Sequence, residues 1–239
     1  MTTIQTVTIN GQRIVLTEKL GTGLEATVWR VVVDKDSLAL KIFFQPDDTI
    51  FDKKPAKLRT DAEERLAELA RMLPVFPTDL PKAVLCPVHT VTNALGQVTG
   101  FTMPLLPPGY KGARLYTDPK FCKDNGITNA RIQALMLELY DTIEKGHAAK
   151  IIYGDALSGN NVQFGPDCPK IIDPNALNIP GFSNRTHTRE CVDPTLCRAG
   201  ELVMNQDHTE NSDWFVYVLL LAWLYMRVHP FGDGINTED

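Results

Sequence analysis

The sequence predicts an α+β protein in two parts, an antiparallel β-sheet part carrying one main helix and a mostly helical part after it. Three observations predict this. As far as residue 106, apolar residues come in short alternating runs separated by turn residues, the pattern of half-buried strands. One helical stretch, 60–73, interrupts them. After Pro107-Pro108-Gly109 the periodicity turns helical, over Ile127–Ala149 and again in the apolar run Trp214–Met226. The predicted boundaries are therefore 1–106 and 107–239, the second part ending soon after its hydrophobic helix.

In chain order, Ile4–Ile9 and Ile14–Leu16 flank Asn10-Gly11, a dipeptide that favours the left-handed conformation a two-residue hairpin needs. Gly21-Thr22-Gly23 then precedes the strand-like run Arg30–Val33. A glycine pair at a hairpin tip lets backbone amides approach phosphates closely, and also fits an ordinary glycine turn. The G-K-[ST] of a P-loop is absent, and no helix pattern follows, which excludes Walker A and dinucleotide folds. Leu38–Phe43 is a strand with Lys41 inside it. A lysine there is costly unless its charge meets an anion or carboxylate, although an edge strand also tolerates one as a gatekeeper.

Residues 46–58 are polar and contain proline, hence a loop. Thr60–Leu73 is the first helix, with Thr60 as N-cap and Glu63 as its capping-box partner. Glu63 shares a side with Leu66 and Ala70, while Glu64 and Glu68 fall on the polar side. Val84–Thr92 and Val98–Leu106 form a hairpin across Asn93–Gln97. In the long helix the expected apolar stripe is Ile132, Leu135, Leu137, Leu139, Tyr140 and Ile143, with His147 in a structural role. Beyond Asn175 residues 176–212 are mostly irregular, and Ser212 is the expected N-cap of the last helix, with Asp213 suiting its dipole.

The most informative stretch is Tyr153–Asn175. Asp155 and Asn160 lie five apart in a Gly/Ser-containing loop. Val162–Phe164 and Lys170–Ile172 are short strands joined by Gly165-Pro166-Asp167. Such a hairpin brings Asp173 back beside Asn160, with Asp155 on the same rim. A carboxylate and an amide oxygen at a strand end suit Mg²⁺, which takes few protein ligands plus substrate phosphates. Asp155 is left to orient or deprotonate a hydroxyl. Asn161 is the alternative to Asn160. With Asn160 as ligand, alternation turns Val162 toward a nucleotide; with Asn161, Gln163 takes that place. Asp155 to Asn160 also fits a capped turn with no ligand.

Composition narrows the classes further. The 239 residues carry a net charge of −5, which argues against a general nucleic-acid binder. Apolar content of 44% and charged content of 22% are ordinary for a globular protein. Five cysteines without a C-x-x-C pair suit a reducing cytoplasm. Cys191, Cys197 and His187 have no well-spaced fourth zinc ligand. No signal peptide is visible, and Trp214–Met226 is shorter than the roughly 20 residues a membrane span needs.

Taken together, Gly21-x-Gly23, Lys41, Asp155 with Asn160, and Asp173 follow the order and intervals of protein kinases, with their glycine loop, strand lysine, H-R-D-x4-N and D-F-G. The likeness covers residues 17–231. It is strongest to bacterial kinase-like proteins in which D-F-G is rewritten as I-D-x-x, here Ile172-Asp173-Pro174-Asn175. Glu25-Ala26-Thr27-Val28-Trp29 and Gly100-Phe101-Thr102-Met103-Pro104 are similar to the same group.

The resemblance implies a bilobal kinase fold binding ATP and Mg²⁺ and transferring the γ-phosphoryl to Ser or Thr of a protein, which could be this chain itself. Lys41 would hold the α/β-phosphates, with Glu63 orienting it. Gly21, Thr22, Gly23, Val28, Ala39, Leu105, Leu106 and Val162 would surround the nucleotide. Asp155 would address the acceptor hydroxyl, and Asn160 and Asp173 the metal. Some members are coupled to phosphatases or other signalling modules; neither nucleic acid nor a membrane is implied. The sequence departs from the pattern at Ala26 (third glycine), Tyr153 (histidine), Leu157 (γ-phosphate lysine) and the D-F-G Phe and Gly. These departures favour a nucleotide-binding pseudokinase scaffold as the second reading. A small-molecule kinase, which shares a G-D-x4-N loop, is the third.

Overall fold

The computed structural model describes residues 6–52, 54–198 and 204–231, which divide into two units. The first comprises the described residues up to Thr78 together with Cys86–Leu106; the second comprises Asp79–Leu85 and the described residues from Pro107 onward.

The first unit is built on turns. Asn10 and Gly11 both take positive φ (50° and 75°), turning β1 (Thr6–Ile9) tightly into β2 (Gln12–Val15). Ile4 and Gln5 of the predicted strand lie outside the described residues. β3 (Glu18–Thr22), β4 (Ala26–Val33) and β5 (Asp36–Phe43) follow as a meander, then β6 (His89–Thr92) and β7 (Val98–Pro104). All seven strands form one antiparallel sheet in the order β2-β1-β6-β7-β5-β4-β3. One face is apolar: Val7, Ile9, Val31, Val33, Leu38, Leu40 and Val91 make a buried cluster against which Trp29 and Ile42 pack. Gly100 has to be glycine, because a Cβ there would lie 2.0 Å from the Lys41 carbonyl oxygen of the adjacent strand.

Two expectations change in this unit. The helix α1 runs Ala56–Met72 with Pro55 as N-cap, so Thr60 sits inside it and forms no capping box with Glu63. Proline pre-sets the backbone dihedral for helix entry, and the helix absorbs the end of the predicted loop. The predicted strand from Val84 begins only at His89; Val84 instead bridges Ile171 in parallel, within the second unit.

The second unit contains a small sheet in the order β10-β9-β8, from β8 (Lys111–Gly112), β9 (Val162–Phe164) and β10 (Lys170–Ile171). Its helices are α2 (Pro119–Asp124), α3 (Asn129–Ala148) and α4 (Glu210–Met226). Thr128 caps α3 by accepting from the Arg131 N–H. Arg131 also donates to the Gly165 and Pro166 carbonyls at 2.6 Å each, holding the turn between β9 and β10. Ile132, Leu135, Leu139 and Ile143 of α3 are buried as the period requires, but Leu137 is 60% exposed. Tyr140 lies on the outside too, its ring 5.0 Å from Trp214 of α4.

α4 begins two residues before the expected N-cap. Thr209 caps it in a capping box with Ser212, which places Asp213 in the first turn with no exposed surface. Among the described residues no helix is long and apolar enough to cross a membrane.

Candidate functional site

In the second unit the site grows from one buried carboxylate. Asp213 accepts the Tyr153 N–H at 2.7 Å and the Gly154 N–H at 2.8 Å, and His147 Nε2 lies 2.8 Å from it. Two amides and a ring nitrogen on one buried acceptor fix the main chain at the start of the loop. The Tyr153 ring is fully buried, and its hydroxyl donates to the Thr142 carbonyl at 2.7 Å. Gly154 takes φ +54°, and a Cβ there would lie 2.7 Å from the His208 ring. With the chain so bent, Gly154–Leu157 forms a 3-10 turn that carries Asp155.

The loop then closes on itself. The Ser158 carbonyl accepts from the Asn161 and Val162 amides at 2.9 and 3.0 Å. Asn161 Nδ2 donates to the Asp155 carbonyl at 3.0 Å, which leaves the amide oxygen of Asn161 as an acceptor. Asn160, the expected ligand, has an exposed side chain instead, and its carbonyl accepts from Gln163 Nε2 at 2.6 Å. These two hydrogen bonds to the Ser158 carbonyl tighten the turn, with residue 160 on the outside and 161 turned inward. The β9–β10 register pairs Val162 with Ile171, and Ile172 N–H donates to the Asn161 carbonyl at 3.1 Å. Asp173 is the next residue, half-buried at the same end of the hairpin. Val162 has no exposed surface.

Asp155 is the perturbed group. Burial pushes its carboxyl above the ordinary range, the Thr188 N–H on its Oδ1 at 2.6 Å opposes that rise, and the Asp173 charge adds to it. His208 pulls the other way and is tied to the Thr186 carbonyl at 2.9 Å. The segment around Thr188 is pinned by Arg185 to Asp207 at 2.6 Å and by Glu190 to Arg114 at 3.0 Å. Burial pushes the nearby Cys191 thiol up to about 11, which makes it a poor nucleophile. Thr188 and His208 are the residues missed as site members, whereas Asn161 had stood as the alternative to Asn160; Thr188 and His208 meet Asp155 only through tertiary folding and carry no local signal.

The first unit holds the other predicted residues. β5 lies between β4 and β7, so Lys41 is on an inner strand and the edge-gatekeeper alternative falls away. Val28 and Phe101 are its partners on either side, so Val28, Ala39 and Lys41 share the sheet face opposite the apolar cluster. Ala39 is buried, and Lys41 Nζ stands 5.1 Å from the centre of the Phe43 ring. The pairing of β3 with β4 bulges between Lys19 and Gly21 and runs on to Thr22 opposite Thr27; Gly23 enters the turn, where its N–H donates to the Ala26 carbonyl at 2.8 Å. Glu63 is exposed on α1, whereas Glu68, expected on the polar side, is half-buried beside Leu69. Leu105 and Leu106 are half-buried and follow the end of β7.

Among the described residues no three His, Cys, Asp or Glu side chains converge on a metal position, and Cys191, Cys197 and His187 form no such group. Asp173 and Asn161, at one end of the β9–β10 hairpin, are a carboxylate and an amide, the ligand types a hard cation takes. Comparison with known proteins finds neither a family model nor a curated relative that matches the chain.

Proposed function

We propose that the protein is an ATP- and Mg²⁺-dependent phosphotransferase of protein-kinase type, with a Ser or Thr hydroxyl of a protein as acceptor. The observation that carries this is the loop in the second unit, where Asp155, Asn161 and Asp173 are gathered on a main chain braced by Asp213. Asn161 and Asp173 would hold Mg²⁺, which when bound offsets the negative charge of the phosphates. Asp155 would accept the proton of the acceptor hydroxyl or orient it; its raised pKa moves it toward the range of a general base.

The first unit supplies groups of the matching kind. Lys41 would neutralise phosphate charge. Gly21 and Gly23 have φ outside the positive range, and added Cβ atoms would meet nothing nearer than 3.8 Å. The fold therefore does not demand glycine at either position, which supports close approach of a ligand to that backbone. Glu63 of α1 would orient Lys41, with the half-buried Glu68 as another carboxylate on the same helix.

The second reading is a nucleotide-binding pseudokinase scaffold. It is favoured by Leu157, which stands where a γ-phosphate lysine is expected and is 1% exposed, packed into the core. Phosphoryl transfer from radiolabelled ATP to protein acceptors decides between them. Asp155→Ala and Asp173→Ala should each abolish transfer. Nucleotide binding with no transfer by the unaltered chain to protein or metabolite acceptors would favour the scaffold.

A further inference from the structure

The glycine turn between β3 and β4 is tied to helix α1 through an ion pair. Glu25 Oε1 lies 2.9 Å from a terminal guanidinium nitrogen of Arg65, with both side chains about one-third exposed (34% and 32%). The Glu25 main chain is held as well, its carbonyl accepting from the Phe44 N–H at 2.8 Å, just past the end of β5. Next to it Ala26 is 2% exposed and closes the turn onto Gly23. Residues 22–26 are thus fixed at their carboxy-terminal end by three elements: β4, β5 and α1. Their tip stays open, with Leu24 95% exposed.

We propose that Glu25 and Arg65 are positioning residues, a tether that sets the glycine turn against α1 and so couples the helix to the affinity for a nucleoside triphosphate. Neither residue touches phosphate. The carboxylate and guanidinium hold the Glu25–Ala26 end still, which presents the Gly21–Gly23 amides in one arrangement and lowers the ordering cost when an anion arrives. A shift of α1 along its axis breaks this pair before it disturbs the main-chain bonds of the turn. The proposal rests on the kinase-type reading for the identity of the anion, but not for the tether.

Two measurements on the whole chain test it. Amide hydrogen exchange without nucleotide should show faster exchange at residues 21–26 in Arg65→Ala and Glu25→Ala, with the charge-reversed double variant Glu25→Arg/Arg65→Glu returning toward the original rate. MgATP affinity should fall up to about fivefold in each single variant, the range of a partly exposed ion pair, and recover in the double variant. Any KM for ATP should rise while kcat holds, whereas a merely structural role would lower Tm and kcat together. Unchanged exchange and affinity in both single variants would overturn the tether. If the unaltered chain binds no MgATP, the phosphotransferase reading fails, and the exchange rates alone then decide for or against the tether.

Discussion

The side-chain amide of Asn161 donates to the main-chain carbonyl of Asp155 at 3.0 Å and closes the loop that carries that carboxylate. This bond, across six positions of sequence, makes Asn161 rather than Asn160 the amide held at the centre of the candidate site. Asn161→Ala should lower Mg²⁺ affinity by at least about tenfold, the scale seen when a metal site loses a supporting contact. Asn160→Ala, an exposed change, should stay within about twofold. Titration of Mg²⁺ against nucleotide-loaded protein separates the two; equal effects would remove Asn161 from its role.

Asp213 has no exposed surface and satisfies the Tyr153 and Gly154 amides together with His147. Asp213→Ala strands these groups in the interior and should cost about 3 kcal/mol or more. Urea unfolding followed by tryptophan fluorescence should show a lower midpoint. A loss below about 1 kcal/mol would mean that water replaces the carboxylate, and that the loop does not depend on it.

At Gly154 the positive φ and the His208 ring act together. Gly154→Ala meets the left-handed backbone cost of roughly 1–2 kcal/mol and a contact with that ring besides. The variant should unfold at least that much more easily, and pairing it with His208→Ala should recover the part due to the clash. Gly23→Ala makes the contrast: no clash opposes it, so stability should change by less than about 1 kcal/mol while MgATP binding weakens.

Asp155 yields a prediction in pH. Its carboxyl is raised by burial, so the folded protein holds that proton more firmly than the unfolded chain. The protonated form costs nothing below the unfolded value of about 4. As pH rises from there through the raised folded value, the wild type loses stability. Asp155→Asn has no such proton, and its oxygen can still accept from the Thr188 N–H. The variant should match the wild type in acid, gain on it through that window and be the more stable at pH 7, while transfer is lost. Parallel stability–pH curves for the two proteins would mean that the carboxylate is not desolvated.

The predicted strands at β1, β2, β5, β7 and β9, and most of α3, were legible because each is specified locally. Asn10-Gly11 dictates its own turn, and the alternation of Leu38, Leu40 and Ile42 assigns one face to the core. Lys41 could be singled out because a charged residue inside an apolar strand needs a reason, and Asp155 and Asp173 because a short hairpin brings them to one rim. Less legible were the features that depend on a partner distant in sequence. Leu137 continues the α3 stripe by period yet lies outside, because α4 packs around Tyr140 and not over it. Val84 has strand character that is used in a bridge to Ile171, 87 positions away within the second unit.

The chain's own pattern therefore determined the antiparallel sheet, the two long helices and the short list of polar residues that a buried strand or tight loop would not otherwise keep. Tertiary structure alone turned Asn161 inward and Asn160 out, took the cap from Thr60, exposed Glu63 and brought Thr188 and His208 to Asp155. The physical reason is range: turn dihedrals and apolar period act over a few residues, whereas hydrogen bonds onto a buried carboxylate join groups that only the folded chain brings within 3 Å of each other.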